Sequence, residues 1–342
     1  MKPIELGPNQ PPRFYRGGAA IAALRGGVPA GDRVPEDWVG STTTLFGEAA
    51  TGLTRLPDGR TLRDLIQADP QGFLGPAHTE RFGADPALLV KLLDAGERLP
   101  VHCHPDREFA RRHLDCPYGK TEAWIVVDVR GEAPSVHLGF QQPVERETVD
   151  RWVRDQETAT LLNALNPIEV EPGDAILVPA GVPHAIGAGV FIVELQEPTD
   201  LSVMLEWKDF PLDGIADGHL GLGYDVALGC VDRSGWGADR LAALRTRPAG
   251  SDGPAVAPVF PAEADPFFRA DRVRITGTPW GFAPGFALLV VLDGEGSLLT
   301  EAGDELTRRR GATVLVPYAA GSVEIRGALD LVRCLPPAPD AA

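Results

Sequence analysis

The sequence predicts a mainly β protein, two related barrels of short strands with a short helical insertion in the first. Three observations carry this reading. The 342 residues include 39 glycines and 32 prolines, and the short Val, Leu and Ile runs between these turn-formers have the length of strands rather than helices. A turn, a short apolar strand and a proline occur twice, as Gly173-Asp-Ala-Ile-Leu-Val-Pro179-Ala-Gly181 and as Gly311-Ala-Thr-Val-Leu-Val-Pro317-Tyr-Ala, which suggests a duplicated unit. The chain is 44% hydrophobic and 23% charged, enough to build a core in each half.

Element by element, residues 61–73 read as a helix because Leu62, Leu65 and Ile66 follow helical spacing. Residues 87–93 and 99–104 read as strands split by the turn Asp94-Ala95-Gly96, and 122–129 with 135–140 as a second antiparallel pair. A short polar helix, 105–114, lies between the pairs, and 144–165 reads as the helical insertion. Strands resume at 168–170, 175–178, 190–196 and 201–207. Residues 246–266 are proline-rich and aperiodic, and so read as a linker between an N-terminal domain, 1–245, and a C-terminal barrel, 267–342. Within that barrel 273–275, 286–292, 297–300, 305–308, 312–316, 322–325 and 329–334 read as strands, with Asp293-Gly294-Glu295-Gly296 as one of the turns.

Charge narrows the function classes. Lys and Arg number 32 against 48 Asp and Glu, a net charge of −16, which repels phosphate backbones and anionic lipid. The expectation is therefore a small-molecule partner, with no nucleic acid and no membrane, and a monomer or homodimer. No apolar run approaches the ~20 residues that cross a bilayer, and the polar start Met1-Lys2-Pro3-Ile4-Glu5 has no signal-peptide stretch, so the expected compartment is the cytoplasm. Cys103, Cys116, Cys230 and Cys334 form no CxxC motif and read as buried thiols.

The chemistry concentrates at His102-Cys103-His104. On a strand, alternate side chains share a face, so both imidazoles point one way and Cys103 the other. Two imidazoles on one face can chelate a divalent metal. A third, His184, follows the turn Pro179-Ala180-Gly181. A carboxylate would complete the shell, and two are in reach: Glu108, four residues after His104, and Glu122, which opens the next strand. His78, His113, His137 and His219 have no partner at ligand spacing.

The spacings Gly96-x5-HxH and Gly173-x5-Pro179-x-Gly181-x2-His184 resemble the two signatures of cupins. Within that superfamily Leu89 to Ala95, His104-Pro105-Asp106, Gly119-Lys120-Thr121-Glu122-Ala123-Trp124 and Pro179 to Ala185 resemble type I mannose-6-phosphate isomerases, a match in order over roughly residues 35–207. The resemblance implies jelly-roll barrels, one divalent ion, zinc foremost, and His102, His104, Glu122 and His184 as its ligands. It leaves Glu108 on a solvated helix face. It also implies Lys120 and Glu194 as acid–base residues, and aldose–ketose isomerisation of mannose 6-phosphate to fructose 6-phosphate through an enediolate. Ser322 falls where the second unit would repeat His184, so that unit is expected to hold no metal.

Three positions depart from the family pattern. His102 stands in place of glutamine and keeps a ligand atom. Met204 stands in place of a catalytic arginine and Pro100 in place of a phosphate-holding serine, and methionine cannot clamp phosphate. Altered phosphate recognition is therefore expected, with Arg98, Arg107 or Arg111 as substitute cations. An isomerase or epimerase of an unphosphorylated sugar, and a non-catalytic sugar-binding cupin, are the alternatives.

Overall fold

The computed structural model describes residues 1–247 and 255–338. Its strands form three sheets in which every registered pair is antiparallel. The first has six strands in the order Arg245–Thr246, Ala175–Val178, Glu122–Val129, Val190–Gln196, Leu89–Asp94 and Glu36–Val39. The second has five: Val203–Met204, His102–Cys103, His184–Ile186, Ser135–Phe140 and Leu165–Glu169. The third, of eight strands, gathers the C-terminal residues and recruits Ile4–Leu6 against Thr313–Val316. The molecule is thus mostly β, as its composition requires.

Period-two alternation decides what the six-stranded sheet shows on each face. Val90, Leu92, Ala123, Ile125, Phe191 and Val193 join one core, shared with Leu288, Val290 and Val332 of the eight-stranded sheet and with Leu62, Ile66 and Phe73 of the helices. Leu93, Trp124, Val126 and Ile192 point the other way and meet Val136, Leu138 and Ile186 of the five-stranded sheet. Polar residues on that second face are trapped between the two sheets. The outer face of the five-stranded sheet is covered by helices: Phe140, Ala185 and Val203 pack with Val149, Val153 and Leu161.

Several expectations change in detail. The helix over 61–73 is two helices, Leu62–Ala68 and Pro70–Leu74, because the Pro70 ring cannot continue the first and Asp69 caps the second by accepting from Gly72 N. The insertion is likewise two helices, Arg146–Arg154 and Thr158–Asn163, parted where Gln156 takes φ 51°. Neither expected hairpin forms. Leu89–Asp94 and Glu122–Val129 lie in the six-stranded sheet, His102–Cys103 and Ser135–Phe140 in the five-stranded one, so each connection crosses between sheets. In the C-terminal region Asp293 to Gly296 is no turn. It lies inside one strand, Ala287–Thr300, whose register shifts between Val291 and Asp293 as it follows Val323–Leu335. Of the proline-rich stretch 246–266, residues 248–254 lie outside the described residues, and Ala255–Pro258 pairs with Arg269–Thr276.

Candidate metal centre and its acid–base cluster

Three imidazoles meet between the sheets. His102 lies in register with His184 across two strands, and His104 follows two residues on. Their ligating nitrogens all lie within 4.8 Å of one another. Each ring is fixed from behind, its Nδ1 hydrogen-bonded at 2.8 Å to a backbone carbonyl: Pro100 for His102, Leu201 for His104 and Val182 for His184. A carbonyl accepts only, so Nδ1 carries the proton and Nε2 presents a lone pair inward. Burial keeps His104 neutral, its pKa lowered to about 3, and likewise holds His102 well below the ordinary value.

Glu122 comes from the opposite sheet. Its Oε2 is 3.1 Å from His104 Nε2 and its Oε1 3.3 Å from His184 Nε2, while Trp124 Nε1 donates to Oε1 at 3.0 Å. Burial alone would favour the acid, but the Lys120 ammonium outweighs it and holds the carboxyl well below its usual range. Lys120, on the same face two residues earlier, puts Nζ 2.9 Å from both His104 Nε2 and Glu122 Oε2. The ammonium sits where acceptors converge, in the manner of a cation at its ligands.

These residues fit a divalent ion. His184 Nε2 is buried without a hydrogen-bond partner, an expensive arrangement unless a cation completes it, and Glu122 Oε2 meets the Lys120 ammonium alone among cations. Around the cavity stand three cations, Arg13, Lys91 and Lys120, and four carboxyl groups, Glu36, Glu122, Glu194 and Asp200. Three imidazoles and one carboxylate are the donor set of a transition-metal or zinc site. Among the described residues this is the one His, Cys and carboxylate group able to hold a metal.

Glu108 is elsewhere. On the helix Arg107–Leu114 it pairs with Arg112 and its side chain is 74% exposed. Glu108→Gln should therefore leave metal content unchanged and shift stability by less than about 0.5 kcal/mol in a denaturant titration, whereas loss of metal would place it in the shell.

Glu194 occupies the central strand of the six-stranded sheet, opposite Lys91 and Trp124 in register. Its Oε1 is 3.5 Å from Lys91 Nζ, without a hydrogen-bond partner, and burial, reinforced by the Glu122 charge, pushes its pKa up to about 7. Lys91 lies between Glu194 and Glu36, 3.5 Å from each, and over the Trp38 ring.

Sequence reasoning missed Lys91, Arg13, Tyr15 and Glu36 as members of this cavity. Arg13 holds Nε 3.1 Å from Glu36 and Nη1 3.3 Å from Asp200, and Tyr15 OH donates to Glu36. For Arg13 and Tyr15 the signal was Gly17-Gly18, which follows them: a Cβ on Gly17 would lie 1.9 Å from the Asp94 carbonyl, so the segment needs glycine to press against the sheet beside the site. Met204 and Pro100 line the same cavity. Two of the three substitute arginines are engaged elsewhere. Arg98 grips Glu206 with both Nη1 and Nη2, Arg107 donates to Glu197 at 2.5 Å, and Arg111 is exposed.

Fold and site together define a cupin-like β protein with a buried three-histidine group. Its architecture is that of the phosphomannose isomerases: mannose 6-phosphate isomerase from Bacillus subtilis superposes with a TM-score of 0.77 at 21% identity, covering 98% of this chain and 99% of that one. A phosphomannose isomerase from Salmonella typhimurium gives 0.73 at 16% identity, over 98% and 100%. In sequence the chain is 30% identical over 193 residues to mannose-6-phosphate isomerase ManA of B. subtilis, 55% of this chain and 56% of that protein. It is 35% identical over 127 residues to mannose-6-phosphate isomerase of Streptococcus mutans, 36% of this chain and 38% of that one. The alignments thus span about half or less of these relatives. No protein-family model matches the chain. No helix among the described residues is long and apolar enough to cross a membrane.

Proposed function

We propose that this chain is a metal-dependent aldose–ketose isomerase of the mannose-6-phosphate isomerase kind. The observation that carries it is the pairing, in one cavity, of a cation site built from His102, His104, His184 and Glu122 with the buried carboxylate of Glu194, whose Oε1 makes no hydrogen bond and lies 3.5 Å from Lys91 Nζ. A bound divalent ion, zinc by donor preference, would polarise the sugar's carbonyl and adjacent hydroxyl and acidify the C–H between them. Glu194 then takes the C2 proton of the aldose and returns it to C1, leaving the ketose. A carboxylate with a pKa near 7 can do both at neutral pH. Lys120, within reach of the ligand nitrogen and carboxylate, holds positive charge beside the substrate oxygens as the enediolate forms. The two sheets close around these steps and keep bulk water away.

A second reading, isomerisation of an unphosphorylated aldose, is favoured by the state of the arginines. Arg98 and Arg107 are each held by a carboxylate, Arg13 lies between two, and Met204 lines the cavity where a clamp would stand. Turnover of mannose 6-phosphate and of free mannose, assayed side by side on metal-loaded protein, tests both. We expect isomerase activity, with a preference for the phosphosugar well short of what a dedicated arginine clamp would confer. No turnover of either sugar overturns the isomerase reading, and a strong preference for mannose 6-phosphate overturns the altered recognition.

A further inference from the structure

We propose that Cys103 and Cys230 form a dithiol modification site behind the three-histidine group, one that low-molecular-weight disulfides oxidise to an internal bond and thereby loosen the metal centre. The two Sγ atoms are 3.6 Å apart, although the cysteines are 127 residues apart in sequence. Alternation on the strand that turns His102 and His104 inward turns Cys103 outward, into the core under the helical cover with Phe140, Ala185 and Val203. Cys103 is fully buried. Cys230 ends the short turn Leu228–Cys230 at the edge of that cover and is half-buried. The pair therefore joins one half-buried cysteine to one fully buried one, the order of exposure that an attacking and a resolving thiol require.

Access orders the chemistry. Cys230 sulfur attacks one sulfur of the reagent, forming a mixed disulfide and releasing one thiol. Cys103 sulfur then displaces the second thiol and closes the Cys103–Cys230 bond. The protein pair gives up two electrons, the reagent's S–S bond accepts them, and the two thiol protons leave on the two released thiols. Closure requires the sulfurs to approach by roughly 1.5 Å, to the ~2.05 Å of a disulfide.

The backbone that carries the two sulfurs is joined to the histidines on both sides. Cys103 is covalently between His102 and His104. On the other side, Asp232 N donates to Gly181 O at 2.7 Å and Gly181 N donates to His104 O at 2.6 Å, so the segment carrying Cys230 is tied to the loop that delivers His184. A Cβ on Gly181 would already lie 2.9 Å from the Cys230 carbonyl. Metal–ligand distances tolerate only about 0.2 Å, so a closure of this size disturbs the site from both supporting segments. Cys116 and Cys334 supply internal controls.

The bond rests on the sulfur geometry alone; the consequence for metal rests on the reading of His102, His104, Glu122 and His184 as ligands. Full-length protein loaded with zinc is incubated with oxidised glutathione, mapped by non-reducing peptide mass spectrometry, and followed for zinc release to a chromophoric chelator. The expected result is a cross-link between the Cys103 and Cys230 peptides, zinc release at least fivefold faster than from reduced protein, and reversal by dithiothreitol. Cys230→Ser should show neither. A stable mixed disulfide on Cys230 with Cys103 still free overturns the dithiol site. A mapped cross-link with unchanged zinc release overturns the coupling. Protein that binds no zinc even when reduced overturns the metal reading, and the cross-link then decides the dithiol by itself.

Discussion

Replacing His184 by alanine is expected to strip the protein of its divalent ion. Wild-type protein should carry about one ion per chain, the variant a small fraction of that, and turnover should fall on the order of a thousandfold or more, because the acidified C–H depends on the ion. The reasoning starts from the orientation of the ring. Val182 O fixes Nδ1–H, so Nε2 has no role in the fold beyond facing Glu122 at 3.3 Å, and it is left without a hydrogen bond. A histidine retained for packing would not be locked with its lone pair toward two other lone pairs and a carboxylate. Because His184 is fully buried, the alanine variant also leaves a cavity; a thermal melt of metal-free wild type and variant separates that cost from ligand loss. Glu122→Gln is the companion change. It keeps volume and the bond from Trp124 but removes the charge, and it should also weaken metal binding strongly. Equal metal in wild type and both variants, by elemental analysis, would falsify the shell.

The inward-facing side chains of the site were legible in the sequence because a single rule, alternation along a strand, governs them. It puts His102 and His104 on one face, Cys103 on the other, and Lys120 with Glu122. The strands Glu122–Val129, Ser135–Phe140, Ala175–Val178 and Val190–Gln196 have the bounds that their apolar runs predict. Pairing was less legible. A turn such as Asp94-Ala95-Gly96 reads the same whether the chain folds back on itself or crosses to a facing sheet, since local turn chemistry does not encode which partner a strand meets. The C-terminal strands failed for a related reason. Gly294 and Gly296 signal a turn by composition, but here they let two strands pass closely, with a Cβ on Gly294 falling 2.0 Å from the Ala328 carbonyl. Glu36 was invisible because nothing local marks a residue that reaches the site from a sequence-distant segment. Lys91 lies within the stretch Leu89 to Ala95, yet one cation inside an apolar strand acquires meaning only when Glu36 and Glu194 are seen on either side of it.

Changing Glu194 to glutamine should abolish most activity while making the metal-free protein more stable at alkaline pH, and the combination is the distinguishing result. The expected loss in kcat is on the order of 10² to 10⁴-fold, the usual contribution of a positioned proton carrier, with KM little changed because the amide keeps the shape of the side chain. The stability half follows from linkage. Burial raises the folded-state pKa of Glu194 from 4.5 to about 7, so the folded protein binds this proton more tightly than the unfolded chain does. The stability this group contributes is fully present below pH 4.5 and is lost as pH rises through 7. Glutamine never ionises and so escapes that loss. Thermal melts of metal-free protein should show wild type and variant converging near pH 5 and the variant ahead at pH 8. A carboxylate kept only for structure, paired with Lys91, predicts the opposite at pH 8, since removing it would strand the Lys91 charge between fewer partners. The two outcomes part because Lys91 also has Glu36 at 3.5 Å, which holds the ammonium when Glu194 is gone. A Glu194→Gln enzyme with wild-type turnover would remove this residue from the chemistry, and a variant destabilised at alkaline pH would assign it to the framework. Reduced turnover with gained stability is what a proton carrier held at a cost to the fold should give.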